Sequence, residues 1–349
     1  MSPRPVPPDL LPWALASLGL PATAPLPSLA PVAGDASARR YFRFTLAETS
    51  YILAEAPPAS EKNAEFVAVG QLLADAGVPV PDIHAVDLAR GYLLLGDLGD
   101  DLLLPALDDA SVDGFYQSAG ELLLTLAGIE APAGVIGRYD RELLQEELDR
   151  FAQWFVEGLL GLSIDAPVQT LLQDMSDLLI ESALEQPVVL VHRDFHSRNL
   201  MLLDAPPTGR LGVIDFQDAV AGPITYDLAS LLRDCYIRWS PAQVKSWAVQ
   251  HRQRLLAAGL LPPETGEAQF LRWFDWMGLQ RHIKVLGTFA RLHLRDGKDG
   301  YLADLPLVLR YVAEVVHDYA PQEPVFAAFG DWFGEQLAPV IAQQSWSVA

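Results

Sequence analysis

Apolar residues crowd into three short runs near the start of the chain, at 41–46, 51–55 and 92–95, each rich in aromatic or branched side chains. Runs of this length and composition predict strands. Between the second and third, Phe66, Val69, Leu72 and Leu73 recur at helical spacing and Gly77 with Pro79 ends the run, which predicts one helix. Upstream, Leu11, Leu15 and Leu18 fall on one face of a short surface helix. The stretch 10–20, followed by Ala22-Thr23-Ala24, has the outline of a secretory leader, but Asp9 precedes it, Pro12 interrupts it and Arg4 is its one cation, so the helix is the better reading.

From about residue 110 the period lengthens. Helical patterns occupy 111–128, 140–160, 167–185, 241–258, 267–295 and 299–318, broken by one β-like island at 188–191 and 211–214. The chain therefore reads as α+β in two parts, a small β-rich lobe over 1–97 and a larger, mostly helical lobe over 98–349, with the Gly96-Asp97-Leu98-Gly99-Asp100-Asp101 segment as hinge.

Charge narrows the partners. Lys and Arg number 24 against 45 Asp and Glu, a formal net of −21, which argues against nucleic acid and anionic membranes and for a small soluble substrate. The single cysteine, Cys235, cannot close an internal disulfide, no Cys/His pairing has zinc spacing, and no apolar run approaches the roughly 20 residues of a membrane helix. A cytoplasmic monomer is the expectation.

The β-island carries the chemistry. It holds His192-Arg193-Asp194-Phe195-His196-Ser197-Arg198-Asn199 and then Val213-Ile214-Asp215-Phe216-Gln217-Asp218. Phosphoryl transfer from a nucleotide needs a carboxylate to accept the proton of the attacking hydroxyl and oxygen ligands to hold Mg²⁺ against the phosphates. Asp194 in a loop after a strand suits the first task; Asn199, five residues on, and Asp215 at a strand end suit the second. A basic stretch at 272–298 has six Lys or Arg against two Asp. There Gln280, Lys284 and Arg291 can share a helix face with an amide and cations to offer a ligand; a solvated basic face is the competing reading. Trp273 and Trp276, three apart, read as core in preference to a ligand-stacking pair.

The phrases at 191–201 and 213–218 resemble the catalytic and metal loops of the aminoglycoside phosphotransferase and choline kinase superfamily, which shares the bilobal protein kinase fold. Within it, Gly34-Asp35-Ala36-Ser37-Ala38-Arg39-Arg40-Tyr41-Phe42-Arg43 and the segment 218–234 are similar to the bacterial cell-wall amino-sugar kinases of peptidoglycan recycling. The resemblance covers about 28–295 and implies ATP and Mg²⁺ as cofactors. It also implies phosphorylation of the anomeric hydroxyl of N-acetylmuramate or N-acetylglucosamine. On it, Asp194 is catalytic and Asn199 and Asp215 bind metal. Gly34, Ser37, Arg39, Asp97 and Leu98 meet the nucleotide; His196, Arg198, Gln280, Arg281 and Lys284 meet the sugar; His192, Asp218 and Asp227 support the loops. One departure stands out, since the third-strand Lys of protein kinases is missing from Tyr51-Ile52-Leu53-Ala54-Glu55, leaving Arg39, Arg40, Lys62 or backbone N–H groups to face the phosphates. Two alternatives stay open: the same chemistry on an aminoglycoside, choline or another sugar, and a nucleotide-binding regulator without catalysis.

Overall fold

A computed structural model describes residues 5–32, 38–204 and 209–347. In chain order its elements begin with α1 (Leu10–Ser17), β1 (Ala30–Val32), β2 (Arg40–Leu46), β3 (Thr49–Glu55), α2 (Asn63–Asp75), β4 (Ile83–Asp87), β5 (Tyr92–Gly96) and α3 (Val112–Ala127). There follow β6 (Gly137–Arg138), α4 (Arg141–Arg150), a π-helical turn (Phe151–Leu159), α5 (Ala166–Leu184), β7 (Val188–Val191), β8 (Leu200–Leu202), β9 (Leu211–Val213), β10 (Val220–Pro223) and α6 (Tyr226–Leu232). The chain ends with α7 (Pro241–Ala257), α8 (Glu267–Asp296), a 3₁₀ turn (Asp299–Asp304), α9 (Leu305–Tyr319), α10 (Pro324–Trp332) and α11 (Ala338–Ile341). No described helix is long and apolar enough to cross a membrane.

These elements pack as two units, one of residues 1–126, 132–136 and 198–219, the other of 127–131, 137–197 and 220–349. In the first, five strands pair in the order β1-β2-β3-β5-β4. The three runs read from the sequence are the interior strands; β1 and β4 were not anticipated, because edge strands tolerate the Pro31, His84 and Asp87 that weaken a strand signal. Phe42, Phe44, Leu53, Tyr92 and Leu94 share one face, and α1 covers it with Leu10, Leu11, Ala14 and Leu15. Asp9 anchors that helix through Arg90 and the Tyr92 hydroxyl.

The β8-β9 hairpin belongs to the same unit. Its strands pair antiparallel with Leu200 opposite Val213, and it is strapped on by Val213 N–H to Pro79 O and Leu103 N–H to Leu200 O, each 2.8 Å. Phe216, just beyond β9, stacks on Phe66 of α2 at 4.8 Å between ring centroids. Leu98 packs against Gly212, where an added Cβ would stand 3.0 Å from Leu98 Cδ1.

The second unit is built around α8. From Phe270 to Leu292 nearly every face of this helix is buried, Trp273 and Trp276 included, as the spacing predicts for core. The expected helix over 140–160 divides at Arg150 into α4 and the π-helical turn, and Gly287 of α8 sits against that junction: a Cβ there would lie 2.6 Å from Phe151 N. The close approach that glycine permits is a contact no periodicity encodes. Asp140 caps α4 by accepting from Leu143 N–H, and Asp165 caps α5 by accepting from Val168 N–H. A three-stranded sheet, β6-β10-β7, lies alongside, and its last strand feeds the loop that carries Asp194.

Candidate active site

β7 ends at Val191, and the chain turns at once. Asp227, at the start of α6, accepts the His192 and Arg193 backbone N–H groups at 2.6 and 2.9 Å, while His192 Nδ1 accepts from Asp194 N–H at 3.2 Å. Arg193 is thereby held at a φ of 77°, and with Ala47 and Asp215 it is one of three described non-glycine residues in the left-handed region. Such backbone is costly and persists where its surroundings over-determine it. His192 and Asp227 thus both hold the backbone that leads to Asp194. Burial raises the Asp227 carboxyl to about 6, despite the His192 and Arg193 amides that favour its charged form. Farther along the loop, Asp234 accepts both the backbone N–H and the hydroxyl of Ser197.

Asp194 is half-buried. Burial raises its carboxyl, but Lys284, His196, Arg281 and Arg193 together overcome this and hold it well below the usual carboxylate range. It is a standing anion, fit to orient a hydroxyl and collect its proton late.

Behind it lies a cluster that sequence reasoning missed. Glu147 of α4, fully buried, accepts from Arg193 and from the Tyr139 hydroxyl, and its Oε1 is 3.3 Å from Lys284 Nζ. Lys284 also donates to the Tyr226 hydroxyl at 3.0 Å, and Gln280 Nε2 reaches Glu147 at 3.5 Å. Lys284 and Gln280 are therefore buried members of a network, with partners inside the protein. A signal for Glu147 was present, since it falls at i+3 from Leu144 and beside Leu148 on the buried face of an otherwise polar helix. Arg281 and His196 are buried too; the His196 ring meets Tyr236 edge-on at 5.3 Å, and burial lowers its pKa.

In the first unit, Asn199 and Asp215 flank the β8-β9 hairpin. Asn199 is buried and its carbonyl accepts from Ile214 N–H at 3.1 Å; Asp215, next along, is exposed with a φ of 65° and accepts from Gln217 Nε2 at 2.8 Å. The strand register thus brings the two candidate metal ligands to the same end of one hairpin. An amide oxygen and a carboxylate are hard donors that suit Mg²⁺, which takes few protein ligands and completes its shell with water and phosphate oxygens. Among the described residues no three His, Cys, Asp or Glu gather into a protein-only cage. Arg198 is half-buried in the turn before Asn199.

Of the nucleotide-facing candidates, Gly34 and Ser37 lie outside the described residues. Arg39 is buried, its guanidinium 4.9 Å from the Phe66 ring centre and 3.6 Å from Glu61. Asp97 receives Arg43 at 2.6 and 3.0 Å, Ser50 and the Gly99 N–H, so its side chain braces β2, β3 and the following turn. As for the missing strand cation, Arg40 pairs with Glu55, and Lys62 lies 2.6 Å from Asp218, three residues beyond Asp215.

Comparison with known proteins places these loops in context. The model of the phosphotransferase enzyme family matches residues 28–271. An N-acetylmuramate/N-acetylglucosamine kinase of Pseudomonas putida is 43% identical over 314 residues, 90% of this chain and 90% of its own. Its namesake in Neisseria meningitidis serogroup B is 41% identical over 311 residues, 87% of this chain and 90% of the other. Among solved structures, an ethanolamine kinase of Plasmodium vivax superposes with a TM-score of 0.61 at 11% identity, covering 86% of this chain and 84% of that one. The GDP complex of aminoglycoside 2′-phosphotransferase-IIIa gives 0.59 at 15%, covering 88% and 99%. At such identities the likeness is one of fold, the protein-kinase-like fold.

Proposed function

The chain belongs to the phosphotransferase enzyme family, and from that premise we propose that it is an amino-sugar kinase, moving the γ-phosphoryl group of ATP to the anomeric hydroxyl of N-acetylmuramate or N-acetylglucosamine. The observation that carries the substrate is the 41–43% identity, over about nine-tenths of both chains, to kinases named for these two sugars. Asp194 accepts the proton of the anomeric hydroxyl; because that hydroxyl is more acidic than an ordinary alcohol, a carboxylate of low basicity suffices. Asn199 and Asp215 hold Mg²⁺, which neutralises charge on the phosphates. The backbone around Asp97 and Leu98 receives the adenine edge. Asp227 and His192 keep the Asp194 loop in its strained form, so the base is in position before substrate arrives.

The test is an ADP-release assay with Mg-ATP against N-acetylmuramate, N-acetylglucosamine, choline and kanamycin, with phosphorus NMR on the product. An anomeric phosphate on an amino sugar is the expected result. Turnover confined to choline or kanamycin would replace the acceptor, and nucleotide binding without turnover on any acceptor would favour a regulatory protein.

A further inference from the structure

Arg281, midway along α8, is 2% exposed, yet its guanidinium makes a single polar contact, Nη1 to the Cys235 sulfur at 3.3 Å. Its Nε has no partner, and no carboxylate among the described residues lies within 4.0 Å. A thiol is a weak acceptor, and burial raises the Cys235 pKa, so the sulfur supplies no counter-charge; the acid whose charge reaches the guanidinium is Asp194, which does not contact it. Neighbouring buried and half-buried cations differ in this respect. Arg193 and Lys284 share Glu147, and Arg233 pairs with Asp275. The one acid adjacent in sequence to Cys235 is engaged elsewhere, since Asp234 accepts from Ser197 and from the Tyr236 N–H. A buried guanidinium with an unpartnered Nε and no carboxylate in contact is expensive unless something completes it.

The position of Arg281 indicates what that is. Through Cys235 it adjoins Asp234, which holds the Ser197 end of the loop bearing Asp194. On the same loop His196, 8% exposed, has a buried Nδ1 without a partner. Two buried groups with unused hydrogen-bonding capacity thus flank one loop. We propose that Arg281 receives the lactyl carboxylate that N-acetylmuramate has and N-acetylglucosamine lacks, and so sets the preference between the two sugars. This rests on the amino-sugar reading above and shifts the acid-recognising role from Lys284, whose charge Glu147 already balances, to a cation three residues earlier.

Steady-state kinetics with purified enzyme and Mg-ATP test it through one quantity, the ratio of kcat/KM for N-acetylmuramate to that for N-acetylglucosamine. Arg281→Met lowers the ratio about 10- to 100-fold, the range for losing a charge-assisted hydrogen bond, chiefly through the KM for N-acetylmuramate, and Arg281→Lys restores part of it. Lys284→Met leaves the ratio where it was. Should Arg281→Met not fold, the methyl ester of N-acetylmuramate applies the test to wild-type enzyme, which should prefer the free acid by a similar factor. A ratio unmoved in Arg281→Met, a ratio moved by Lys284→Met in its place, or indifference of the wild type to esterification overturns the assignment. Turnover of neither sugar by the wild type would instead overturn the amino-sugar reading itself.

Discussion

Glu147 Oε1 lies 3.3 Å from Lys284 Nζ, with none of the acid side chain and a tenth of the basic one exposed. Arg193, next to Asp194, shares the same carboxylate. One acid on α4 therefore fixes both a residue of the catalytic loop and a residue of α8. Breaking such a cluster from one side leaves charge buried without a partner, so Glu147→Ala should cost about 3–5 kcal/mol in urea unfolding. Replacing both members, Glu147→Leu with Lys284→Met, should recover part of that loss; a double variant as unstable as the sum of the singles would show the two do not act as a pair. Lys284, Arg193 and the Tyr139 hydroxyl outweigh burial and depress the Glu147 pKa. Its contribution is therefore present above the usual carboxylate range and lost as pH falls below it.

Asp227 behaves in the opposite sense. Its carboxyl rises from 3.8 to about 6, so between those values the native state keeps a proton that the unfolded chain has released. Stability from this group falls as pH rises through that window, by on the order of 3 kcal/mol in all. Asp227→Asn lacks the titration, and its stability relative to wild type should improve by that order between pH 4 and pH 7. A difference that stays flat with pH would show that Asp227 titrates normally.

Asp194→Asn should lower kcat by about 10²–10⁴-fold, the scale of a lost general base, while the nucleotide Kd from calorimetry stays close to wild type. Tighter or weaker nucleotide binding by a comparable factor, with kcat little changed, would move Asp194 from base to binding residue.

Asp215 separates chemistry from backbone. Its φ of 65° is accessible to Asn but costs a β-branched residue about 1–2 kcal/mol or more. Asp215→Asn should unfold at nearly the wild-type denaturant midpoint yet lose turnover, whereas Asp215→Val should lose both. Activity retained in Asp215→Asn would remove the residue from the metal site.

The interior strands and most helices were legible because each buries a regular stripe. The edge strands β1 and β4 were not, since an edge strand satisfies only one neighbour and admits proline and charge. The break of 140–160 at Arg150 was hidden because the apolar period continues through it; what changes is the backbone against Gly287. At the site, Asp194, Asn199 and Asp215 could be read from spacing along one chain segment. The burial of Glu147 had a local signal, but its partners and the Arg281-Cys235 contact did not, because they join α4 and α8 to residues before α4, after β7 and after α6, and pairing across such distances leaves no trace in local pattern. The basic stretch at 272–298 shows the same limit: its charges looked like a surface, and two of them, Arg281 and Lys284, prove to be buried.

The unit that contains the five-stranded sheet takes its last piece, residues 198–219, from well beyond its main body, which ends at residue 126. A nascent chain therefore cannot finish its first-made unit until about residue 219 has left the ribosome, after α4 and α5 of the other unit have already emerged. Until then the Pro79 carbonyl, the Leu103 N–H and the face of Phe66 have no partner to receive them. Completion of the sheet unit is thus deferred in synthesis, and a stalled chain ending between 126 and 198 presents an open apolar seat, the kind of surface a chaperone would hold until the hairpin arrives.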